Sequence, residues 1–218
     1  MERKMKYGIS LVLALALIAV LLISGLTTSD DAEALYTVTA NQWQNALGDK
    51  AYIQTIYRNV TIEMRSGETG KRMLLATSNG GLLLENEELR HICVTSENGF
   101  MTYIYYFSNQ KWDVHNFKDD GVDETLNTRL PSYVDMAMAG LQDEFEAASY
   151  SAEDKCYIIS YPMSTDNNDG MMHCKVYFED GQLIRLETEI VSANTTLSLK
   201  LYNIGKTMVE APAEYPKG

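Results

Sequence analysis

The chain offers few groups suited to catalysis. Its three histidines are His91, His115 and His173, and none belongs to a pair spaced to hold a metal, as His-Glu-x-x-His would be. His115 lies two residues from Asp113, and His173 is followed directly by Cys174. A thiol–imidazole dyad needs its side chains in contact, whereas neighbours on a strand point to opposite faces. Cys174 therefore reads as a buried or edge thiol. No Gly-x-Ser-x-Gly elbow and no phosphate-binding glycine loop occurs. The acidic runs Asp119-Asp120-Gly121-Val122-Asp123-Glu124 and Asp166-Asn167-Asn168-Asp169-Gly170 put oxygens at the alternating positions calcium uses, but neither completes an EF-hand pattern. They read as a solvated loop and a turn. No catalytic residue, metal or cofactor is expected, and the chain reads as non-enzymatic.

The apolar residues say more. There are 14 Tyr, 11 Met and 5 Phe. Met64, Met73, Leu75, Met101, Tyr103, Tyr105 and Phe107 fall on expected strands, with Tyr133, Met136 and Leu141 on or near an expected helix. Together they are the candidate lining of an apolar ligand cavity, because methionine is flexible and polarizable enough to accept varied apolar shapes. The same residues would also serve as an ordinary core beneath a sheet. Tyrosines on an exposed sheet face would instead bind polymers or partner proteins.

The elements that must position these residues follow from periodicity. Thr39-Ala-Asn-Gln42 is a capping-box pattern ahead of Trp43, Ala46 and Leu47, which predicts a helix over 39–48, extending towards Tyr57. Alternation then predicts strands over 59–65, 71–78, 81–85, 88–94, 100–107 and 110–117. A second helix is expected over 130–142, with Pro131 in its first turn. Further strands are expected over 145–150, 155–163, 171–179, 182–190 and 195–204, with turns at 166–170 and at Asp180-Gly181. Helix, meander, helix, meander is an α+β order. An antiparallel sheet of about ten or eleven strands must curl, leaving a concave face for two amphipathic helices.

Ahead of this domain lies an apolar leader. No charged residue occurs from Tyr7 to Ser29; Arg3, Lys4 and Lys6 precede the run, and Asp30, Asp31 and Glu33 follow it. Ile9–Leu26 is long for a secretory h-region of about 7–15 residues and approaches the roughly 20 residues that span a bilayer. The charges orient the N-terminus inside and the domain outside. Residues 1–34 are thus expected to be a signal sequence, cleaved after Ala34 with release of the domain, or an uncleaved single-pass anchor on the outer face of the cytoplasmic membrane. The anchor is the preferred reading. Leu22-Ile23-Ser24-Gly25-Leu26 has the form of a lipobox with Leu26 at the place of the acylated cysteine.

Residues 35–218 are expected to form one domain, and with a net charge of −12 on the chain it would be repelled by nucleic acid and anionic headgroups. Cys93, Cys156 and Cys174 are not spaced for zinc. Cys156 and Cys174 could pair across a hairpin, or all three could be buried free thiols.

Three segments carry a family resemblance: Tyr150-Ser-Ala-Glu-Asp-Lys-Cys-Tyr157, Asp180-Gly-Gln-Leu-Ile-Arg-Leu-Glu-Thr-Glu-Ile190 and Leu201-Tyr-Asn-Ile-Gly205-Lys-Thr-Met-Val209-Glu-Ala-Pro212. With the element order, they resemble the LolA-like extracytoplasmic lipoproteins of Gram-positive bacteria over about Val38–Pro212. That resemblance implies an unclosed half-barrel whose apolar concave face binds a lipid or a lipoprotein acyl chain, with the helices as a lid. Such a protein would act as carrier, chaperone or sensor. The chain departs from its relatives in lacking the lipobox cysteine. The competing expectation is an envelope interaction module or accessory subunit with a filled core, contacting a protein partner through its outer face.

Overall fold

The computed structural model describes residues 34–78, 80–96, 99–117, 124–165, 168–193 and 195–213, without the side chains of 124–129 and 164–169. The leader and the acidic run Asp119–Asp123 lie outside these residues. Among the described residues, no helix is long and apolar enough to cross a membrane.

Eleven strands form one antiparallel sheet: β1 (Val60–Ser66), β2 (Arg72–Ser78), β3 (Gly81–Glu85), β4 (Leu89–Ser96), β5 (Gly99–Tyr106), β6 (Lys111–Phe117), β7 (Ser149–Ser151), β8 (Cys156–Thr165), β9 (Asn168–Glu179), β10 (Gln182–Ser192) and β11 (Thr196–Tyr202). Their order across the sheet is β6-β5-β4-β3-β2-β1-β11-β10-β9-β8-β7. Two meanders are therefore fused where the first strand pairs with the last. The sheet is curled and unclosed, as expected for so many twisted strands. Short turns make the hairpins: Asp180 and Gly181, at φ 51° and 73°, supply the two left-handed positions of a tight β9–β10 turn.

Residues opposite each other on neighbouring strands share a face. Ile62 faces Leu75 and Leu201, Leu75 faces Leu84, Leu84 faces His91, and His91 faces Ile104. In the other direction Leu201 faces Leu186, Leu186 faces Val176, and Val176 faces Tyr157. This face carries the helices α1 (Ala40–Gly48), α2 (Lys50–Arg58) and α3 (Glu124–Met138).

The core sits between helices and sheet. Trp43, Ile56, Val134, Leu141, Met172, Phe178, Leu186 and Leu201 retain essentially no exposed surface. Burying each such side chain contributes about 1.5–3 kcal/mol. Trp43 is central: its ring meets Phe145, Tyr157 and Phe178 at centroid distances of 5.7, 5.5 and 5.6 Å. Its Nε1–H donates to the Leu141 carbonyl at 3.0 Å. The Tyr157 hydroxyl accepts from Val38 N at 2.9 Å and donates to Val38 O at 3.2 Å, pinning the segment before α1.

Several sequence expectations change. Among the described residues there are three helices where two were expected, because Asp49 separates the helix over 39–48 from its expected extension towards Tyr57. Its backbone N–H closes α1 on Asn45, and its side chain accepts from Ala51 N at 2.8 Å to open α2. The expected capping box forms, with Gln42 N donating to Thr39 Oγ1 at 3.3 Å and Thr39 N to Gln42 Oε1 at 2.9 Å. The third helix begins at Glu124, so Pro131 lies inside it rather than in its first turn; Leu126, Leu130 and Val134 continue one helical spacing through the proline. Left-handed Gly140 ends it (φ 73°). The expected strand over 145–150 contracts to β7, because Phe145–Ala147 winds into a 3-10 turn against Trp43.

The tail after β11 crosses the outer face, away from the helices. Thr207 Oγ1 lies 3.0 Å from Thr61 Oγ1 on β1, and Thr207 N donates to Asn59 Oδ1 at 2.7 Å. Val209 N donates to Ser78 Oγ on β2 at 3.2 Å. At Gly81 on β3 an added Cβ would come within 2.8 Å of Val209 Cβ and 2.9 Å of Val209 O. Glycine is required there by the closeness of the strap.

Candidate functional site

Two surfaces have the shape and chemistry to receive something. The first is a shallow groove of about 480 Å³ on the outer face of β8–β11 and β1, lined by Ile158, Ser160, His173, Lys175, Glu187 and Lys200 among others. Charges alternate along it. Arg65 and Arg72 bond Glu63 at 2.8 and 3.0 Å, and Arg185 and Lys200 both reach Glu187. Burial alone would raise both carboxyl pKa values, but the hydrogen bonds and charges of these cations outweigh it and hold Glu63 and Glu187 below the ordinary range. The ion pairs neutralise one another, so the groove offers no net charge for an ionic ligand.

This groove also holds a Ser–His contact, Ser160 Oγ to His173 Nδ1 at 2.8 Å. Both side chains are exposed. Glu189 stands opposite His173 in the ladder, but among the described residues no carboxylate is hydrogen-bonded to the ring. An orienting carboxylate and a water-excluding site are what activate a serine, and this arrangement lacks both.

Cys156 and Cys174 lie on opposite faces. Cys174 faces Ile159 and the core, whereas Cys156 lies beside Tyr177 on the outer face. All three cysteines are buried, and Cys156 and Cys174 are free thiols, so the hairpin disulfide is excluded by strand parity. Burial pushes the Cys174 thiol up, partly offset by hydrogen bonds with Thr188 and Tyr161. Burial raises Cys156 as well. Neither thiol is poised as a nucleophile.

The second surface involves the expected cavity residues, which the structure divides. Met64, Met73 and Leu75 lie on the concave face with the helices, since Met64 pairs with Met73 and Ile62 with Leu75. Leu141 is fully buried in the core and Tyr133 packs against it, but Met136 points outward at 37 % exposure. Met101, Tyr103 and Tyr105 occupy the opposite face of the sheet, because their neighbours Thr102 and Ile104 take the concave side. Phe107 lies past the end of β5, 39 % exposed, in an aromatic group with Tyr105 and Trp112. One cavity lined by all ten is therefore not formed.

Where the concave face opens at the β1–β2 and β3–β4 turns there is a groove of about 300 Å³. Its floor is Met64, Met73 and Leu197, and Lys71, Arg72 and Glu88 stand at its rim. The same face continues over β3–β5 through half-buried Leu84, Phe100, Ile104 and Tyr106. The helices pack chiefly on β10, β11 and β2. Leu84, Leu197, Ile104 and Tyr106 were not among the expected site residues. Carrying face parity outward from Ile62, hairpin by hairpin, would have selected them over Tyr103 and Tyr105.

Fold and site thus define an unclosed antiparallel half-barrel carrying its helices inside, with an apolar groove at one open end. No family model and no curated protein matches the chain. Among solved structures, an outer-membrane lipoprotein-sorting protein domain from Vibrio parahaemolyticus aligns at 8 % identity and a TM-score of 0.22, over 75 % of this chain and 91 % of that one. A match that distant carries no weight, and the fold stands on the strand pairing described above.

Proposed function

We propose that this is a non-enzymatic protein of the cell envelope that holds an apolar chain, a lipid or a lipoprotein acyl group, at the open end of its concave face. The observation that carries the reading is the floor of Met64, Met73 and Leu197 beneath a charged rim, continued by half-buried apolar residues on β3–β5. Buried methylenes contribute about 0.8 kcal/mol each, so part of an acyl chain laid along this floor reaches micromolar affinity after ordering costs. The charge pattern around the apolar leader supports a domain outside the cytoplasmic membrane, with residues 9–26 as anchor. The resemblance of the sequence to LolA-like lipoproteins supports the apolar ligand and the extracytoplasmic location, though not the mode of anchoring.

A second reading, an interaction module without a ligand, is favoured by the packed region under β8–β11, where Trp43, Phe178, Leu186 and Leu201 leave no surface exposed. Native mass spectrometry of residues 35–218 purified from bacteria separates the two. Co-purifying lipid is expected, and Met73→Trp, which fills the groove, should abolish it. A lipid-free domain that gives no fluorescence with hydrophobic dyes would overturn the ligand reading. For the anchor, the mature N-terminus decides: a chain beginning at Leu35 would refute the uncleaved helix.

A further inference from the structure

We propose that β6 is a contact between two copies of this chain, pairing antiparallel with its counterpart about a two-fold axis through Val114. Among the described residues β6 is hydrogen-bonded to the sheet on its β5 side alone. Among these residues nothing pairs with its other edge, which presents backbone donors and acceptors along Lys111–Phe117. Natural sheets blunt such edges with proline, a bulge, extreme shortness, a covering segment or charged side chains, and of these β6 carries only the charges of Lys111 and Asp113 among the described residues. β6 contains no proline and pairs with β5 without a register shift.

The residues of β6 also select a register for self-pairing. A two-fold axis normal to the sheet must pass beside one residue, and near the strand's centre there are three choices. Centring on Asp113 places Asp113 opposite its own copy, and centring on His115 places His115 opposite its own copy. Centring on Val114 places Asp113 opposite His115 twice, Trp112 opposite Asn116, and valine against valine. Directly opposed like groups destabilise a pair and complementary ones stabilise it. The chain carries a net charge of −12, so self-association needs local complementarity, and this register supplies it.

The outer face beside the edge suits the same contact. Trp112 and Val114 share it with Tyr103 and Tyr105. The Trp112 and Tyr105 rings lie 4.9 Å apart, and both are only half-buried. The two-fold would set two such aromatic ledges side by side. The contact is smaller than the roughly 800 Å² per partner of stable complexes, so the dimer is weak and is best trapped covalently.

The test uses the full chain in bacterial membranes, with Val114→Cys added and mild oxidation. The three native thiols are buried, and a cysteine on the axis, at a half-buried position, should give a disulfide-linked dimer. Trp112→Cys, off the axis, should give little. Adding His115→Asp, which opposes carboxylates at both symmetric positions, should lower the Val114→Cys yield about 2- to 30-fold. The exchange of both residues, Asp113→His with His115→Asp, should restore it. Asp113 and His115 are exposed, so these changes spare the fold. Equal yields at 112 and 114, a dimer indifferent to the charge exchange, the absence of a dimer, or cross-linking to a different protein would each overturn the proposal.

Discussion

Replacing Trp43 by phenylalanine tests whether the helix layer is locked to the sheet at its centre. Trp43 has no exposed surface, and phenylalanine keeps most of its edge contacts with Phe145, Tyr157 and Phe178. Two losses remain. The Leu141 carbonyl gives up its 3.0 Å donor, and leaving a buried acceptor unsatisfied costs about 1–3 kcal/mol. The missing part of the indole leaves a void where the site cannot fully collapse, costing about 1–2 kcal/mol. The expected destabilisation is about 2–5 kcal/mol, a large share of the roughly 5–15 kcal/mol that holds a domain folded. Urea unfolding of residues 35–218, followed by far-ultraviolet circular dichroism, should show the midpoint falling by roughly 1–2.5 M at a slope near 2 kcal/mol/M. Trp112→Phe, at a half-buried position on β6, should cost roughly 1 kcal/mol or less. If the two variants shift equally, the placement of Trp43 at the centre of the packing is wrong.

Other consequences are as direct. Thr188 Oγ1 donates to Ala137 O at 2.9 Å at the end of α3, so Thr188→Val should lower stability by about 1–2 kcal/mol in the same urea assay; an unchanged midpoint would remove this tie. Gly81→Val must displace Val209, and should speed trypsin cleavage after exposed Lys206 in limited proteolysis; parental cleavage rates would mean that the strap is not held there. Glu63 and Glu187 have folded pKa values below their unfolded ones, so their contribution is complete above about pH 4.3 and is lost as pH falls through the folded values. The double variant Glu63→Gln, Glu187→Gln should flatten the acid limb of the stability profile, and an identical limb would refute the assignment. Cys93, Cys156 and Cys174 should resist a thiol reagent in the native protein and all react in denaturant without reductant; two missing thiols would restore the disulfide.

The strand plan was legible because turn chemistry punctuates this chain: Asp180-Gly181 forms its hairpin, and the Thr39–Gln42 box opens its helix. The faces were harder. β1 alternates cleanly, but β5 reads Gly-Phe-Met-Thr-Tyr-Ile-Tyr-Tyr and is apolar on both sides, so its own pattern does not say which set turns inward. The answer lies in the pairing of Ile104 with His91, a long-range fact that local periodicity does not encode. The helix over 39–48 is found at Ala40–Gly48, but the break before its extension is not periodic, since one aspartate, Asp49, both ends a helix and begins another. The Met64–Met73 contact followed from two correctly placed strands of one hairpin, whereas Met136 failed because a helix face is chosen by what packs on it.

The pairing of β1 with β11, Thr61 opposite Tyr202, bears on how the protein is made. Each meander closes through short hairpins, which form early because their contacts are local. The seam between them joins strands far apart in the sequence, and it sits at the middle of the sheet. A nascent chain emerging from its N-terminus exposes the β11-facing edge of β1, hydrophobic on its inner side, until β11 emerges. Truncations that remove β11 should therefore yield two separate half-sheets with bare central edges, prone to aggregation. The domain becomes a single body only once β11 has been made.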